Sequence, residues 1–207
     1  MTLAFFAYPS QPHERRHGPS GYDPYGGYKP WLRDEFAFRC VYCLEREAWY
    51  PDRADSFSVE HIVPQSEDAA LLCDYANLLY ACTRCNSARR DERLLDPTAV
   101  ALGDHVRPGE DGMLIGMTAQ GLDLIDLLHL NENPALKVRR KYSRILALGE
   151  RFPGEPEVQA LFLEAFGFPD DLPDLRKLRP PRGNRLPGGA RSCYFAQREA
   201  GMLRATY

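Results

Sequence analysis

Residues 58–66 read SVEHIVPQS. With Phe57 in front, the run alternates. Phe57, Val59 and His61 fall on one face and Ser58, Glu60 and Ile62 on the other, which is the period of a strand. The strand then closes on two adjacent polar groups, Glu60 and His61, three residues before Pro64. Backbone twist at a strand end allows both groups to reach one cleft, although their Cβ atoms start on opposite faces.

Working outward, NLLYAC from Asn77 is a second short apolar stretch. From Thr83 the pattern turns helical, with Thr83 as the expected N-cap, and it is expected to fray near Leu95 ahead of Pro97. Upstream, WLRDEFAFRCVYC predicts a short helix running into a turn at Cys40–Cys43, with Trp31, Leu32, Phe36 and Phe38 as core. The six cysteines are Cys40, Cys43, Cys73, Cys82, Cys85 and Cys193. Four of them form the C-x-x-C pairs CVYC and CTRC, a zinc signature. A disulfide framework would need a secreted setting, which nothing supports, and a redox dithiol needs one pair and not two. Cys73 and Cys193 read as plain thiols. A structural zinc ion on Cys40, Cys43, Cys82 and Cys85 would clamp a strand–strand–helix unit with about 10 kcal/mol of folding free energy.

The chain of 207 residues is long enough for one sizeable domain, or a small one with an appendage. At 44% hydrophobic and 27% charged it has the composition of a soluble globular protein. The formal charge of −3 excludes a general polycation, so nucleic-acid binding must come from local basic patches. The early apolar run Leu3–Tyr8 is too short to cross a bilayer and has no basic residue before it. It predicts a short buried strand, and the expected location is cytoplasmic, with no membrane partner.

The expected organisation is an irregular Pro/Gly/Tyr/His arm over 1–30, a core domain with the two C-x-x-C pairs over 31–100, a hairpin plus helices over 101–172, and a basic tail over 173–207. In the arm, His13 and His17 are expected in a solvated loop. Helices are expected at LDLIDLLHL, at PALKVRRKYSRILALGERF with Pro134 opening it, and at PEVQALFLEAFGF. His105 and His129 are expected to be structural or exposed. No internal repeat is visible.

Over about 36–95, the combination of CVYC, VEHIVPQS and YANLLYACTRCNSARRDE resembles the HNH endonuclease family, whose small unit is the ββα-metal fold. EHIVPQS is especially similar to the HNH domain of CRISPR effectors. The acidic–His–Ile–x–Pro run, the Asn-Leu and the final C-x-x-C-Asn occur in family order. Two positions depart from the common pattern: Glu60 stands where many members have Asp, and Asn86 where the family name calls for His. The fold class implied is α+β, a ββα-metal (HNH) core stapled by a four-cysteine zinc site, with an irregular N-terminal arm and a mainly helical C-terminal extension.

The resemblance implies metal-dependent hydrolysis of DNA phosphodiesters, leaving 5′-phosphate and 3′-hydroxyl ends. His61 is the expected general base, since a neutral imidazole suits proton abstraction from water near pH 7. Glu60 and Asn86 are the expected ligands of one divalent ion. A carboxylate and an amide oxygen favour Mg²⁺ or Mn²⁺ over softer ions. Asn77 is expected to tie the loop and orient His61. The helix N-terminus near Asn86 disfavours a cation, so metal affinity is expected to be weak without nucleic acid.

Asn86, Arg89, Arg90 and Arg93 are spaced i, i+3, i+4 and i+7, so a continuous helix would put them on one face, with Arg84 on the Cys turn. These arginines are candidate phosphate contacts, Arg89 first among them. Further basic clusters occur at Lys137, Arg139, Arg140, Lys141 and Arg144, and along the tail from Arg176 to Arg191. Such runs are commonly solvated surface, and on a nuclease they suit sequence-blind duplex grips.

The expected partner is DNA, double-stranded in the first instance, with a protein partner or a homodimer needed for a double-strand break. Bacterial or phage restriction or antiviral defence is the leading setting. The alternative is a non-catalytic zinc-dependent module that binds nucleic acid, and a weaker third reading is a structural zinc protein with a protein partner. The set Glu60, His61, Asn77 and Asn86 separates the first reading from the second, because a pure binding module has no use for it.

Overall fold

The computed structural model describes residues 5–207. The chain forms two compact units, one of residues up to His13 with Leu94–Gly167, the other of Glu14–Arg93 with Phe168–Tyr207. This grouping differs from the four consecutive segments read off the sequence: most of the arm and the whole tail join the cysteine-containing unit.

In that unit, helix α1 (Lys29–Glu35) leads through two left-handed residues, Ala37 and Phe38 (φ 50° and 57°), into the first cysteine turn. Strands β1 (Phe57–His61) and β2 (Leu78–Cys82) form an antiparallel pair in which Phe57 faces Cys82 and His61 faces Leu78. Helix α2 (Thr83–Arg89) follows directly. Every residue of β2 is buried: α1 and α2 pack against the strand, and Val41 N–H of the cysteine turn bonds to the Tyr80 carbonyl. Phe57 and Tyr80 stack across the pair with centroids 5.1 Å apart, and Trp31, Leu32, Phe36 and Phe38 are buried as expected.

Helix α2 is shorter than the sequence pattern predicts. Its N-cap is Cys82, with Thr83 the first helical residue, and its C-cap Arg90 has φ 54°, which ends the α-helical run at Arg89, short of the fraying expected near Leu95. Arg90 and Arg93 therefore do not continue the helical face of Asn86 and Arg89.

Around His17 the arm is not a solvated loop. At the end of α1, Glu35 accepts hydrogen bonds from the backbone N–H groups of Arg16 (2.8 Å) and His17 (3.0 Å) and from the Tyr75 hydroxyl (3.0 Å). Asp34 accepts from His17 Nε2 at 2.8 Å and from the backbone of Tyr194 at 2.8 Å. Two carboxylates that the sequence places on an ordinary helix thus tie the arm and the tail to the core, and His17 is 1% exposed. The tail adds two short helices, α6 (Pro187–Arg191) and α7 (Tyr194–Glu199).

The other unit contains a hairpin of β3 (Val106–Pro108) and β4 (Leu114–Gly116), then helices α3 (Ala119–Leu127), α4 (Asn133–Arg151) and α5 (Pro156–Phe166). These match the hairpin and three helices predicted. Gly121 is required where α3 crosses the hairpin, since a Cβ there would lie 2.0 Å from the His105 carbonyl oxygen. His105 bonds to Thr118 (2.8 Å) and the exposed His129 to Glu132 (2.7 Å), both structural. Phe5 and Phe6 lie in a 3-10 turn, not a strand; Leu3 and Ala4 of the predicted strand fall outside the described residues. No helix among the described residues is long and apolar enough to cross a membrane.

Candidate metal centre and nuclease site

The first cysteine pair sits in a tight knuckle. Cys40 N–H donates to the Glu45 carbonyl (2.9 Å) and Leu44 N–H to the Cys40 carbonyl (3.0 Å), with Leu44 at φ 60° closing the turn. Val41 N–H reaches the Tyr80 carbonyl of β2 (3.0 Å), locking the knuckle to the strand. The second pair lies at the β2–α2 junction. The four buried sulfurs are all within 4.8 Å of one another, and Cys43 and Cys82 are 3.7 Å apart. A tetrahedral ion with bonds of about 2.3 Å to sulfur would space its ligands by about 3.8 Å. The thiols are free, and their separation is far beyond the roughly 2 Å of a disulfide. Burial pushes the Cys43 thiol up, while contacts with Cys40, Cys43 and Cys85 pull Cys82 down. The donor set and its spacing fit zinc. Cys73 and Cys193 stand apart from the cluster.

His61 ends β1 and is 3% exposed. Its Nε2 lies 3.0 Å from the Leu72 carbonyl oxygen. A carbonyl only accepts, so Nε2 carries the proton, and in the neutral ring Nδ1 keeps its lone pair. That nitrogen faces the amide of the exposed Gln65 at 3.2 Å. The Tyr25 ring from the arm packs edge-on against the imidazole, with centroids 4.8 Å apart. Burial lowers the pKa of His61, Arg89 lowers it further, and the Leu72 carbonyl opposes both.

Asn77 knots the loop that follows β1. Its Oδ1 accepts from Val63 N–H (2.8 Å), and its Nδ2 donates to the carbonyls of Val63 (3.2 Å) and Leu71 (3.3 Å). The pinned Leu71 peptide immediately precedes the carbonyl that holds His61.

Glu60 points to the other side of β1, toward α2. Its Oε1 accepts from its neighbour's backbone, His61 N–H (2.7 Å), and from Arg89 Nη1 (2.5 Å). Arg89 also donates to the carbonyls of His61, Ile62 (2.8 Å) and Glu92 (2.7 Å). Burial raises the Glu60 pKa, and Arg89 offsets that only in part. Glu60 Oε2 is buried with no hydrogen-bond partner. Asn86 lies on the same side: its Nδ2 donates to the hydroxyl of Ser58, two residues before Glu60 (2.7 Å), which turns Oδ1 away from that bond. An orphaned carboxylate oxygen and an available amide oxygen fit a hard divalent ion. The structure thus brings Glu60 and Asn86 to the α2 side of the strand and the His61 ring to the 65–72 loop, not into the single cleft expected from twist at the strand end.

The candidate phosphate arginines are placed differently from expectation. Arg89 is 1% exposed and is an internal pin, not a solvent-facing cation. Arg84 pairs with the buried Glu45 at 2.5 Å, and Arg93 with Glu67 at 2.5 Å on the surface. Arg90 is exposed. Gln65, Tyr25 and the Glu60–Arg89 pair escape sequence reasoning. EHIVPQS contains Gln65, but no local period shows that it turns back onto His61.

A paired-strand and helix unit with a four-thiol clamp and a histidine closing the first strand is the ββα-metal arrangement. Residues 40–92 match the family model described as HNH endonuclease. The chain is also 30% identical over 102 residues to Septu protein PtuB of Bacillus thuringiensis, an alignment covering 45% of this chain. The chain spans 37% of that relative's length. No solved structure matches it significantly.

Proposed function

We propose that this chain is a metal-dependent endonuclease that hydrolyses DNA phosphodiester bonds. The observation that carries the reading is the state of His61: its Nε2 proton is held by Leu72, leaving Nδ1 as a base whose cover is the exposed side chain of Gln65. When Gln65 swings away, Nδ1 can take a proton from water attacking phosphorus. Asn77 keeps the supporting loop fixed, so the imidazole holds one orientation.

Glu60 and Asn86 would hold the catalytic Mg²⁺ or Mn²⁺, through the orphaned Oε2 and the amide oxygen. When bound, such an ion polarises the phosphate and stabilises the departing 3′ oxygen. The cysteine clamp with zinc fixes β2 and α2, and hence the side of the strand where those oxygens lie. The expected ends are 5′-phosphate and 3′-hydroxyl.

Duplex DNA as substrate is supported by α4, where Lys137, Arg140, Lys141 and Arg144 line one exposed surface depression with no acidic side chain in it. Arg139 is not part of this surface; it is buried against the carbonyls of Gly112 and Leu130. In the tail, Arg176 and Lys177 are engaged by Asp174. A role in restriction or antiviral defence, with a protein partner or a second copy completing a double-strand cut, is supported by the similarity to Septu protein PtuB.

The Glu60–Arg89 pair favours a second reading, a zinc module that binds nucleic acid without cutting it, because Arg89 occupies one oxygen of the proposed ligand. A supercoiled-plasmid assay with Mg²⁺ or Mn²⁺ separates the two. Nicking by the wild type and its loss in His61→Ala support the nuclease. DNA retention without nicking, across metals and pH, establishes the binding module.

A further inference from the structure

The chain turns sharply after β1, and the turn holds one side chain against the imidazole of His61. Glu67 N–H donates to the Pro64 carbonyl at 3.0 Å across it. Both ends are fixed. Asn77 bonds to the N–H and the carbonyl of Val63 on one side, and the Arg93 guanidinium pairs with Glu67 at 2.5 Å on the other. Pro64 is buried, whereas Gln65 is exposed. The backbone under Gln65 is therefore held in place, while its exposed side chain can change rotamer quickly.

Gln65 Nε2 lies 3.2 Å from His61 Nδ1. His61 Nε2 donates to the Leu72 carbonyl, so Nδ1 accepts and the Gln65 amide donates. The Tyr25 ring packs edge-on against the imidazole, and His61 is 3% exposed. The amide thus stands between the lone pair and solvent. At 3.2 Å no water fits between the two nitrogens. A water that reaches Nδ1 must push the amide back by about 2.8 Å, one hydrogen-bond length. Because the turn is held, the displaced amide stays beside that water. Water has two O–H donors. One points at Nδ1, and the other needs an acceptor, which the amide supplies by presenting Oε1 in place of Nε2. Both protons are then directed, and a lone pair on the water oxygen is left for phosphorus. The amide is also neutral, so it does not repel a phosphate, as a carboxylate at this place would.

We propose that Gln65 is a catalytic residue that orients the attacking water, exchanging its hydrogen bond to His61 Nδ1 for one from the water. The inference rests on the nuclease reading and gives a role to a residue outside the set Glu60, His61, Asn77 and Asn86. In the step, the water oxygen bonds to phosphorus and one of its protons passes to Nδ1. The P–O3′ bond breaks with its electron pair on O3′, which takes a proton from solvent. His61 then returns its extra proton to solvent.

The test compares wild type, Gln65→Ala and Gln65→Glu as full zinc-loaded chains; the position is exposed, so folding is not at stake. Nicking of supercoiled plasmid with Mg²⁺ or Mn²⁺ gives kcat and KM. Gln65→Ala should lower kcat about 10–100-fold, with KM changed by less than about 3-fold, the scale of losing one positioning contact. Gln65→Glu keeps an accepting oxygen but adds a charge. Its kcat should lie above that of Gln65→Ala, and its KM above that of wild type. A second readout needs no cutting: carbethoxylation of His61 by diethylpyrocarbonate, followed by peptide mass mapping. It should run about 5-fold faster or more in Gln65→Ala, because the lone pair has lost its cover. An unchanged or raised kcat in Gln65→Ala overturns the proposal and leaves Gln65 a lid over the base. An unchanged carbethoxylation rate overturns it as well, since Gln65 then does not cover Nδ1. The two readings fail separately. If wild type nicks and His61→Ala does not, a wild-type kcat in Gln65→Ala removes this role alone. If wild type nicks with no metal tried, the nuclease reading falls and this role with it.

Discussion

The Glu60 carboxylate and the Arg89 guanidinium meet 2.5 Å apart where β1 ends, with side chains 5% and 1% exposed. The pair joins the strand to the last residue of α2, and Arg89 spends its other donors on the carbonyls of His61, Ile62 and Glu92. Removing one member of such a pair leaves the other charge buried and unmatched, at a cost of about 3–5 kcal/mol. Arg89→Met should therefore lower stability by that amount in urea denaturation, and a loss below about 1 kcal/mol would refute the assignment of Arg89 as an internal pin. The double variant Glu60→Gln, Arg89→Met should recover part of the loss, because no buried charge then remains.

The four-cysteine cluster makes a separate prediction. A site that binds its ion only when folded adds the binding free energy to folding, about 10 kcal/mol for structural zinc. Metal analysis of the purified chain should find one zinc per molecule. Cys82→Ser, which removes the ligand joining β2 to α2, should abolish stoichiometric zinc and with it the cooperative unfolding transition. A fully cooperative transition at unchanged midpoint after zinc loss would show that the clamp is dispensable.

Much of this core is written locally. The alternation through Phe57, Val59 and His61 reports β1, and the two C-x-x-C pairs report a cluster whose sulfurs do assemble. What the sequence hides depends on contacts distant along the chain. The arginine face assumes a helix running past Arg93, but α2 stops at Arg89 and Arg90 turns to φ 54°. Arg89 is then drawn inward by Glu60 and by three backbone carbonyls, none of which its own spacing reveals. The arm reads as irregular, with its histidines in a solvated loop, because its composition has no period. It is ordered by Asp34 and Glu35, which accept its backbone and His17. No helical pattern distinguishes these two carboxylates from solvent-facing ones.

The His61 and Asn77 predictions separate chemistry from support. His61→Ala should reduce Mg²⁺-dependent nicking about 10²–10⁴-fold, the usual contribution of a general base, with zinc content and DNA binding unchanged. Asn77 makes three hydrogen bonds to loop backbone. Asn77→Ala leaves buried peptide groups unmatched and should cost about 1–3 kcal/mol in stability. It should also lower nicking, since the loop that carries the Leu72 carbonyl loses its knot. Full nicking in Asn77→Ala would show that His61 keeps its orientation by other means.

The α4 surface gives the last prediction. Lys137, Arg140, Lys141 and Arg144 recur along one helix face and line a depression that contains no acidic side chain. If these cations grip duplex phosphates, each contact releases counterions, and the slope of log affinity against log salt flattens by about 0.9 per contact removed. Replacing all four by Gln should flatten the slope by up to about 3.6 on random-sequence duplex. Fold should be unaffected, because the buried Arg139 that anchors α4 to Gly112 and Leu130 is left in place. The loss should also be the same for every duplex sequence tested, since phosphate contacts carry no base information. An unchanged slope would assign the face to solvent, and DNA contact would then have to come from elsewhere on the chain.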